Sequence, residues 1–119
     1  MPTLRGTDGA EALIVIGGRF MALNRRRIGD FAEKHRLIMV GVPSFLIEIG
    51  ALLNYGPNAP ELFRRSATCV DKILKGAKPA DLPMQQPTTF ELTINLKAAQ
   101  RLGITVPPAV IARADKVIE

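Results

Sequence analysis

Two unbroken apolar runs, at positions 12–16 and 37–42, constrain the fold of this chain more than any other feature. Neither run alternates with polar residues, which is typical of parallel strands covered on both faces. The segment between them has apolar residues at helical spacing, with Asn24 as its predicted N-cap and its end near His35. Strand, helix and strand over such a length form a right-handed βαβ unit. We therefore predict a three-layer α/β fold with a mostly parallel sheet.

Positions 50–76 predict a third strand followed by a long helix. The strand is expected over 51–55, after a single helical turn at 44–49, and a turn is expected at Gly56 and Pro57 because these residues break regular structure. Asn58 is the predicted N-cap of a helix over 60–75. Gly76 fits the left-handed position after the last turn. The helix carries one broad apolar stripe, formed by Leu62, Phe63, Ser66, Ala67, Val70, Ile73 and Leu74.

The remainder of the chain predicts a connector, a strand and two helices. Residues 77–87 are rich in proline and predict an extended connector. Residues 88–95 alternate as a half-exposed strand does, and Asn95 is the predicted N-cap of a helix over 96–102. A last helix is expected over 108–118. We predict a loose leader at residues 1–10 and a single α/β unit over residues 11–119.

Composition excludes several classes of function. The chain has one cysteine and one histidine, which rules out an internal disulfide and disfavours a metal site. The sequence indicates no catalytic arrangement. The single histidine cannot be combined convincingly with a serine and an acid, and no pair of carboxylates is suited to general acid–base catalysis. We therefore expect no catalytic residue, no metal and no cofactor. No apolar run is long enough to cross a membrane, and residues 1–9 lack the apolar core of an export signal.

Candidate binding residues follow the predicted strands. Ligands of open α/β sheets bind beyond the carboxyl ends of the strands, and a tyrosine there can present both its ring and its hydroxyl to a small solute. The competing interpretation is that these residues only turn the chain or pack against a helix. The candidates are Gly17, Gly18, Ser44, Phe45, Asn54 and Tyr55.

The net charge of +5 leaves a second function open. Arg25, Arg26 and Arg27 lie together at a predicted helix N-terminus, where the helix dipole disfavours cations. They could contact nucleic acid or an acidic partner, in a basic interaction protein that binds no solute. Against nucleic acid, aromatic residues for base stacking are scarce and the basic residues are spread along the chain. A solvated charged face is the simpler interpretation, and we expect no nucleic acid partner.

Several segments resemble the ABC-transporter substrate-binding proteins of the tryptophan/tyrosine-uptake type, in their C-terminal part. The resemblance is carried by GALLNYGP at 50–57, VDKILKGAKPADLP at 70–83, QPTTFELTINLKAA at 86–99 and IARADKVI at 111–118. The upstream RRRI at 25–28 and AEKHRL at 32–37 also resemble that family. The chain departs from the usual pattern at Gly17, Gly18 and Arg19 and at 38–41, near the expected cleft.

The resemblance implies part of a periplasmic-binding-protein type I fold, with a solute such as an amino acid bound between two lobes. It implies that residues 11–49 are a βαβ unit of the second lobe. Residues 50–83 would form the crossing strand, helix and connector, and residues 84–119 the return strand and helices. The implied partner is an ABC permease, and the family is periplasmic, whereas the sequence leaves the compartment of this chain open.

The apolar stripe of helix 60–75 predicts self-association. In the family this surface packs on a lobe for which the chain has no counterpart, and large apolar patches are rare on soluble monomers. We therefore predict a homodimer, with the helix exchanged between protomers as one form of it.

Overall fold

The computed structural model describes residues 9–119, so the predicted leader at 1–10 lies almost entirely outside the described residues. Within them the elements alternate between strands and helices, and the α/β fold class is confirmed. The strands are β1 (Ala12–Val15), β2 (Ile38–Gly41), β3 (Leu53–Pro57), β4 (Phe90–Asn95) and β5 (Lys116–Ile118). The helices are α1 (Arg19–Leu23), α2 (Arg25–Lys34), α3 (Phe45–Glu48), α4 (Ala59–Leu74), α5 (Leu96–Leu102) and α6 (Pro108–Ile111), with a 3-10 turn at Pro79–Asp81.

The strands form one sheet in the order β1-β2-β3-β4-β5. β1 and β2 run parallel, as do β2 and β3, and β4 and β5. A mostly parallel sheet is therefore confirmed. Ile14 pairs with Val40 in the first ladder, and Gly41 pairs with Asn54 in the second. These two ladders bring the carboxyl ends of β1, β2 and β3 to the same edge of the sheet.

The chain divides into two compact units. The first comprises the residues up to Gly56 together with 91–119, and the second comprises Pro57–Phe90. The first unit contains the sheet apart from two end residues, Pro57 and Phe90, and the second contains α4 and the connector. The assignment of residues 11–49, 50–83 and 84–119 to parts of two lobes stays a prediction.

The core of the first unit lies between the sheet and helices α2 and α3. Its buried members are aliphatic, as expected for a chain without tryptophan. α2 approaches the chain after α3 closely, since a Cβ on Gly29 would lie 3.0 Å from the carbonyl oxygen of Ile49. The fully packed cluster consists of Val15, Ala32, Leu37, Met39, Leu46 and Ala51.

Asn24 stands at the predicted start of a helix but does not cap it with its side chain. The chain reaches Asn24 from α1, a short helix that the sequence patterns did not predict. The Asn24 side-chain nitrogen donates to the carbonyl oxygen of Phe20, 2.9 Å away, and no side-chain capping bond to α2 forms. Asn24 therefore occupies the predicted N-cap position, but its predicted capping role was wrong. Its side-chain amide bonds to α1 instead of to α2.

The predicted turn at Gly56 and Pro57 was also wrong, since β3 continues through Pro57. Gly56 is needed for close approach instead: a Cβ there would lie 2.6 Å from the carbonyl oxygen of Val42. The cap of the next helix is confirmed, because Asn58 Oδ1 accepts a hydrogen bond of 2.8 Å from the backbone N–H of Glu61. Gly76 follows this helix with a φ of 103°, as predicted.

The last predicted helix is wrong over most of its length. α6 ends at Ile111, and residues 116–118 form β5 beside β4. Asp115 starts this pairing, since its Oδ2 accepts from the N–H of Leu92 at 2.8 Å and its own N–H donates to the Leu92 carbonyl at 2.8 Å. Pairing with β4 stabilises extended backbone in a segment whose local pattern favours a helix. The Asn95 cap of α5 is confirmed, with Asn95 Oδ1 3.2 Å from the N–H of Ala98.

The apolar stripe of α4 is exposed to solvent in the chain as described. No residue of α4 is buried, and Phe63 keeps 78% of its surface exposed. On another side of this helix, Arg65 donates to the side chains of Gln85 (2.9 Å) and Thr88 (3.3 Å) and so holds the connector within the second unit.

Candidate functional site

The candidate site lies where β1 and β2 end, beside the middle of β3. Gly17 and Gly18 follow β1, Ser44 follows β2, and Tyr55 is the middle residue of β3, one residue beyond the pair of Gly41 with Asn54. All four residues are exposed to solvent, Tyr55 with 55% of its surface. The ends of neighbouring parallel strands are the place where open α/β sheets bind ligands. The structure thus brings these predicted residues to one edge of the first unit.

Glycines let the segments at this edge approach each other. A Cβ on Gly17 would lie 3.0 Å from Cγ of Pro43, so the segment after β1 packs against the segment after β2. Gly18 is different, because a Cβ there would meet nothing within 4 Å. Packing against Pro43 therefore favours glycine at position 17, whereas the surroundings of Gly18 leave room for a ligand.

Asn54 is buried, with 6% of its surface exposed, and its side chain binds backbone. Its Nδ2 donates to the carbonyl oxygen of Val42 at 2.7 Å and to that of Gly41 at 3.1 Å. These bonds satisfy two carbonyl groups at the end of β2 and fix the position of that strand end beside β3. A direct contact of Asn54 with a solute stays a prediction, and the structure gives its amide nitrogen a supporting role.

We expect the substitution Asn54→Ala to lower the free energy of unfolding by about 1–3 kcal/mol, because it leaves partly buried carbonyl groups without their donor. Asn24→Ala is the matched control, since Asn24 donates a single, exposed hydrogen bond to Phe20. Urea unfolding of the two variants measures the difference. Equal losses in both variants would contradict the supporting role of Asn54.

Ser44 and Phe45 occupy different environments although they are adjacent. Ser44 is exposed and makes no side-chain capping bond to α3, whose N-cap it is. Phe45 is half-buried and packs against the core cluster of the first unit. Ser44 thus presents a hydroxyl at the strand ends, and the packing of Phe45 supports the simpler interpretation that it is a structural residue.

Two exposed apolar residues beside Tyr55 were missed by the sequence analysis. The ladders pair Val15 with Gly41 and Gly41 with Asn54. One residue further along, Ile16, Val42 and Tyr55 stand level with one another and share one face of the sheet. All three are large and exposed. The signal was the position of Ile16 and Val42 at the ends of their apolar runs, but only the strand register places them beside Tyr55.

The electrostatic character of this edge is neutral. Residues 16–18, 42–45 and 54–56 include no charged side chain. Arg25, Arg26 and Arg27 lie at the start of α2 and are all exposed.

Within residues 9–119 no three His, Cys, Asp or Glu side chains gather where they could hold a metal ion. In the same residues no helix is long and apolar enough to span a bilayer. The strand ends therefore suit a ligand recognised by apolar contact and hydrogen bonds.

Known proteins resemble this chain over nearly all of its length. The family model for ABC transporter substrate-binding proteins matches residues 10–118. An ABC domain from Streptococcus pneumoniae, solved in complex with L-Trp, is 28% identical and matches 94% of the chain with a TM-score of 0.87. A conserved domain protein from Vibrio cholerae O1 biovar El Tor is also 28% identical and matches 90% with a TM-score of 0.86. Among curated proteins, none matches the chain.

A third solved structure shows likeness of fold alone. It is the ligand-free, open form of a substrate-binding protein with adhesive properties from Clostridium difficile, with 21% identity over 90% of the chain and a TM-score of 0.62. The chain spans 38% of the length of the pneumococcal protein and 36% of each of the other two. It therefore corresponds to a part of each of these proteins.

The family match covers more than nine tenths of the residues, and the sheet of parallel strands agrees with the solved relatives. Both agree with the resemblance carried by segments 50–57, 70–83, 86–99 and 111–118. The chain belongs to the ABC transporter substrate-binding protein family.

Proposed function

We propose that this chain is a non-catalytic solute-binding component of an ABC-type uptake system. It forms one wall of a cleft that binds a small molecule such as an amino acid. The observation that carries the proposal is that Tyr55 of β3 stands exposed beside Val42 and Ile16, the residues that directly follow β2 and β1. The family is of a solute-binding, non-enzymatic type, which agrees with this function.

The residues at this edge of the sheet would contact different parts of the ligand, according to their chemistry. The ring of Tyr55, with Val42 and Ile16, offers an apolar surface for a ligand side chain. The Ser44 hydroxyl and the backbone around Gly18 offer hydrogen bonds to a polar group. Gly17 and Asn54 hold the segments in place. A neutral, partly apolar amino acid suits this combination, and the pneumococcal relative was solved with L-Trp.

The second wall of the cleft is also part of the proposal. The chain spans less than two fifths of the length of its relatives. In the type I arrangement, residues 11–49 and 84–119 would belong to one lobe, and 50–83 would lead to the other. An ABC permease would be the partner for solute delivery, in the periplasm or outside the cell as for the family. Residues 9–119 alone are expected to bind solute weakly, because one wall buries less of the ligand than two.

Direct binding of L-tryptophan tests this function. The chain has no tryptophan of its own, so the emission of added L-tryptophan reports binding without background. We expect saturable binding to the wild-type chain, and at least about tenfold weaker binding to Tyr55→Ala, or roughly 1.4 kcal/mol. Tyr55→Phe removes the hydroxyl and keeps the ring, so its affinity for L-tryptophan measures the contribution of the hydroxyl alone.

Phe63→Ala is the matched control for Tyr55→Ala, because Phe63 is another exposed aromatic residue but lies on α4. It should bind as the wild type does. Equal binding by the wild-type chain and Tyr55→Ala would contradict the assignment of the site. A screen of other amino acids by thermal shift extends the test if L-tryptophan is not the solute.

The proposal includes a homodimer, with α4 exchanged between protomers as one form of it. Its support is the exposed apolar stripe of α4, on which Leu74 is exposed as well as Phe63. Light scattering over a range of concentrations measures the mass of the assembly. A stable monomer at micromolar concentration would contradict this part of the proposal.

A further inference from the structure

A pocket of about 320 Å³ lies between α2, α5 and the segment that precedes β3. The residues that line it fall between positions 29 and 102 and all belong to the first unit. Two of them, Leu37 and Gly50, precede β2 and β3, so the pocket lies at the amino ends of these strands. The candidate site of Tyr55 lies beyond the carboxyl ends of β1 and β2. The pocket is therefore separate from that site, and its volume is in the range that small ligands occupy.

The lining of this pocket is apolar where it is buried and charged where it is exposed. Its buried side chains are those of Ala32, Leu37, Met39 and Ala98. Its charged side chains are those of Glu33, Arg36 and Arg101, and all three are exposed. Two positive charges against one negative charge leave an excess of +1, which a monoanion would neutralise. The combination of an apolar surface and a single excess positive charge suits an organic anion.

Arg101 extends from α5 to the segment before β3. A Cβ on Gly50 would lie 2.7 Å from Arg101 Nη2, so the guanidinium lies directly against the backbone of Gly50. Its ion pair with Glu33 is loose, because 3.6 Å separate Arg101 Nη1 from Glu33 Oε1 and both side chains are more than half exposed. Exposed pairs of this kind contribute little to stability. A carboxylate in the pocket can therefore replace Glu33 as the partner of a guanidinium whose planar fork matches carboxylates.

Arg36 occupies a backbone position that usually belongs to glycine. Among residues 9–119 it is the only residue other than glycine with a positive φ, which is 52°. It ends α2 in a Schellman motif: the N–H of Leu37 donates to the carbonyl of Ala32 at 2.8 Å, and the N–H of Arg36 donates to that of Glu33 at 3.0 Å. The equivalent positions after α4 and α5 hold glycine. Strained residues cluster at binding sites, and the side chain of Arg36 lines the pocket.

We propose that this pocket binds a small organic monocarboxylate. The carboxylate pairs with Arg101 and Arg36, and the apolar body of the ligand covers Met39 and Ala98. An inorganic anion suits the pocket less well, because it leaves the buried apolar lining without a partner. This inference does not rest on the proposed function, since none of the residues at the candidate site of Tyr55 lines the pocket.

Calorimetric titration with 3-phenylpropionate tests the inference, and 3-phenylpropionamide is the matched uncharged ligand. We expect saturable binding of the acid to the wild-type chain and at least about tenfold weaker binding of the amide, which has no charge for the arginines. Arg101→Gln should weaken binding of the acid by at least about tenfold, because a hydrogen bond between charged groups is lost. Arg113→Gln is the control, since Arg113 is an exposed arginine of the first unit that does not line the pocket. It should bind the acid as the wild type does.

Arg36→Gly separates binding from stability. Its thermal midpoint should equal or exceed that of the wild type, because glycine adopts a positive φ without strain, whereas its affinity for the acid should fall at least about fivefold. Tyr55→Ala should bind the acid as the wild type does. No binding by the wild-type chain, equal binding of acid and amide, or unchanged binding by Arg101→Gln would overturn the inference. A loss in Tyr55→Ala with none in Arg101→Gln would place the acid at the candidate site and would overturn it as well.

Discussion

Replacing Gly41 with alanine is expected to lower the free energy of unfolding by about 3 kcal/mol or more, because the new methyl group has no space. A Cβ at Gly41 would overlap Cδ1 of Leu46 and lie 2.5 Å from the carbonyl oxygen of Val15. The first neighbour is a core side chain, and the second is backbone of the adjacent strand. Relief of the overlap would require β1 and β2 to separate. Urea unfolding followed by circular dichroism measures the loss.

Gly18→Ala is the control for this substitution. It adds the same methyl group a few residues from the same strand ends, but a Cβ at Gly18 meets nothing within 4 Å. Its φ of 168° is extended backbone that any residue adopts. We expect stability within about 0.5 kcal/mol of the wild type. Equal destabilisation by the two variants would show that packing at Gly41 is not the cause.

Replacing Leu46 with alanine is expected to cost about 2–5 kcal/mol, because Leu46 is fully buried in the first unit. Leu46 lies on α3, and its side chain fills the space above Gly41 of β2. This contact packs the short helix against the sheet. The loss combines the transfer free energy of the side chain with the cavity that it leaves. The urea concentration at the midpoint of unfolding should fall, while the slope of the free energy of unfolding against urea concentration stays the same. Leu23→Ala, at an exposed leucine of α1, should change stability little.

The two substitutions are expected to be non-additive. Truncation of Leu46 removes one of the two groups that a methyl group at Gly41 would overlap, but the Val15 carbonyl remains. The double variant should therefore be more stable than the sum of the single losses predicts, by about 0.5–3 kcal/mol. Strict additivity would mean that Leu46 and the new methyl group do not meet.

Local patterns predicted those parts of the fold that short segments decide. The apolar runs became β1 and β2, and Asn58 and Asn95 cap their helices with bonds of 2.8 and 3.2 Å. A cap depends on one side chain and a backbone N–H three residues away, so the sequence contains all that is needed. Tyr55 was predicted at the end of its strand, but β3 continues to Pro57 and Tyr55 is its middle residue.

The errors occurred where a distant segment decides the conformation. Residues 116–118 fit a helix by pattern, yet pairing with β4 makes them a strand. Gly56 has the composition of a turn, but the proximity of Val42 explains why glycine is needed within β3. In both cases the deciding partner lies more than ten residues away, and the local pattern does not show that the two segments meet.

Short stretches of sequence were enough to predict the class of fold, the caps of α4 and α5, the family resemblance and the neutral character of the strand ends. The folded structure was needed to show that Ile16, Val42 and Tyr55 stand in one row and that the Asn54 amide supports the end of β2. The physical reason is that helix caps and apolar periodicity act between near neighbours in the chain. Strand register instead depends on which distant strands pair.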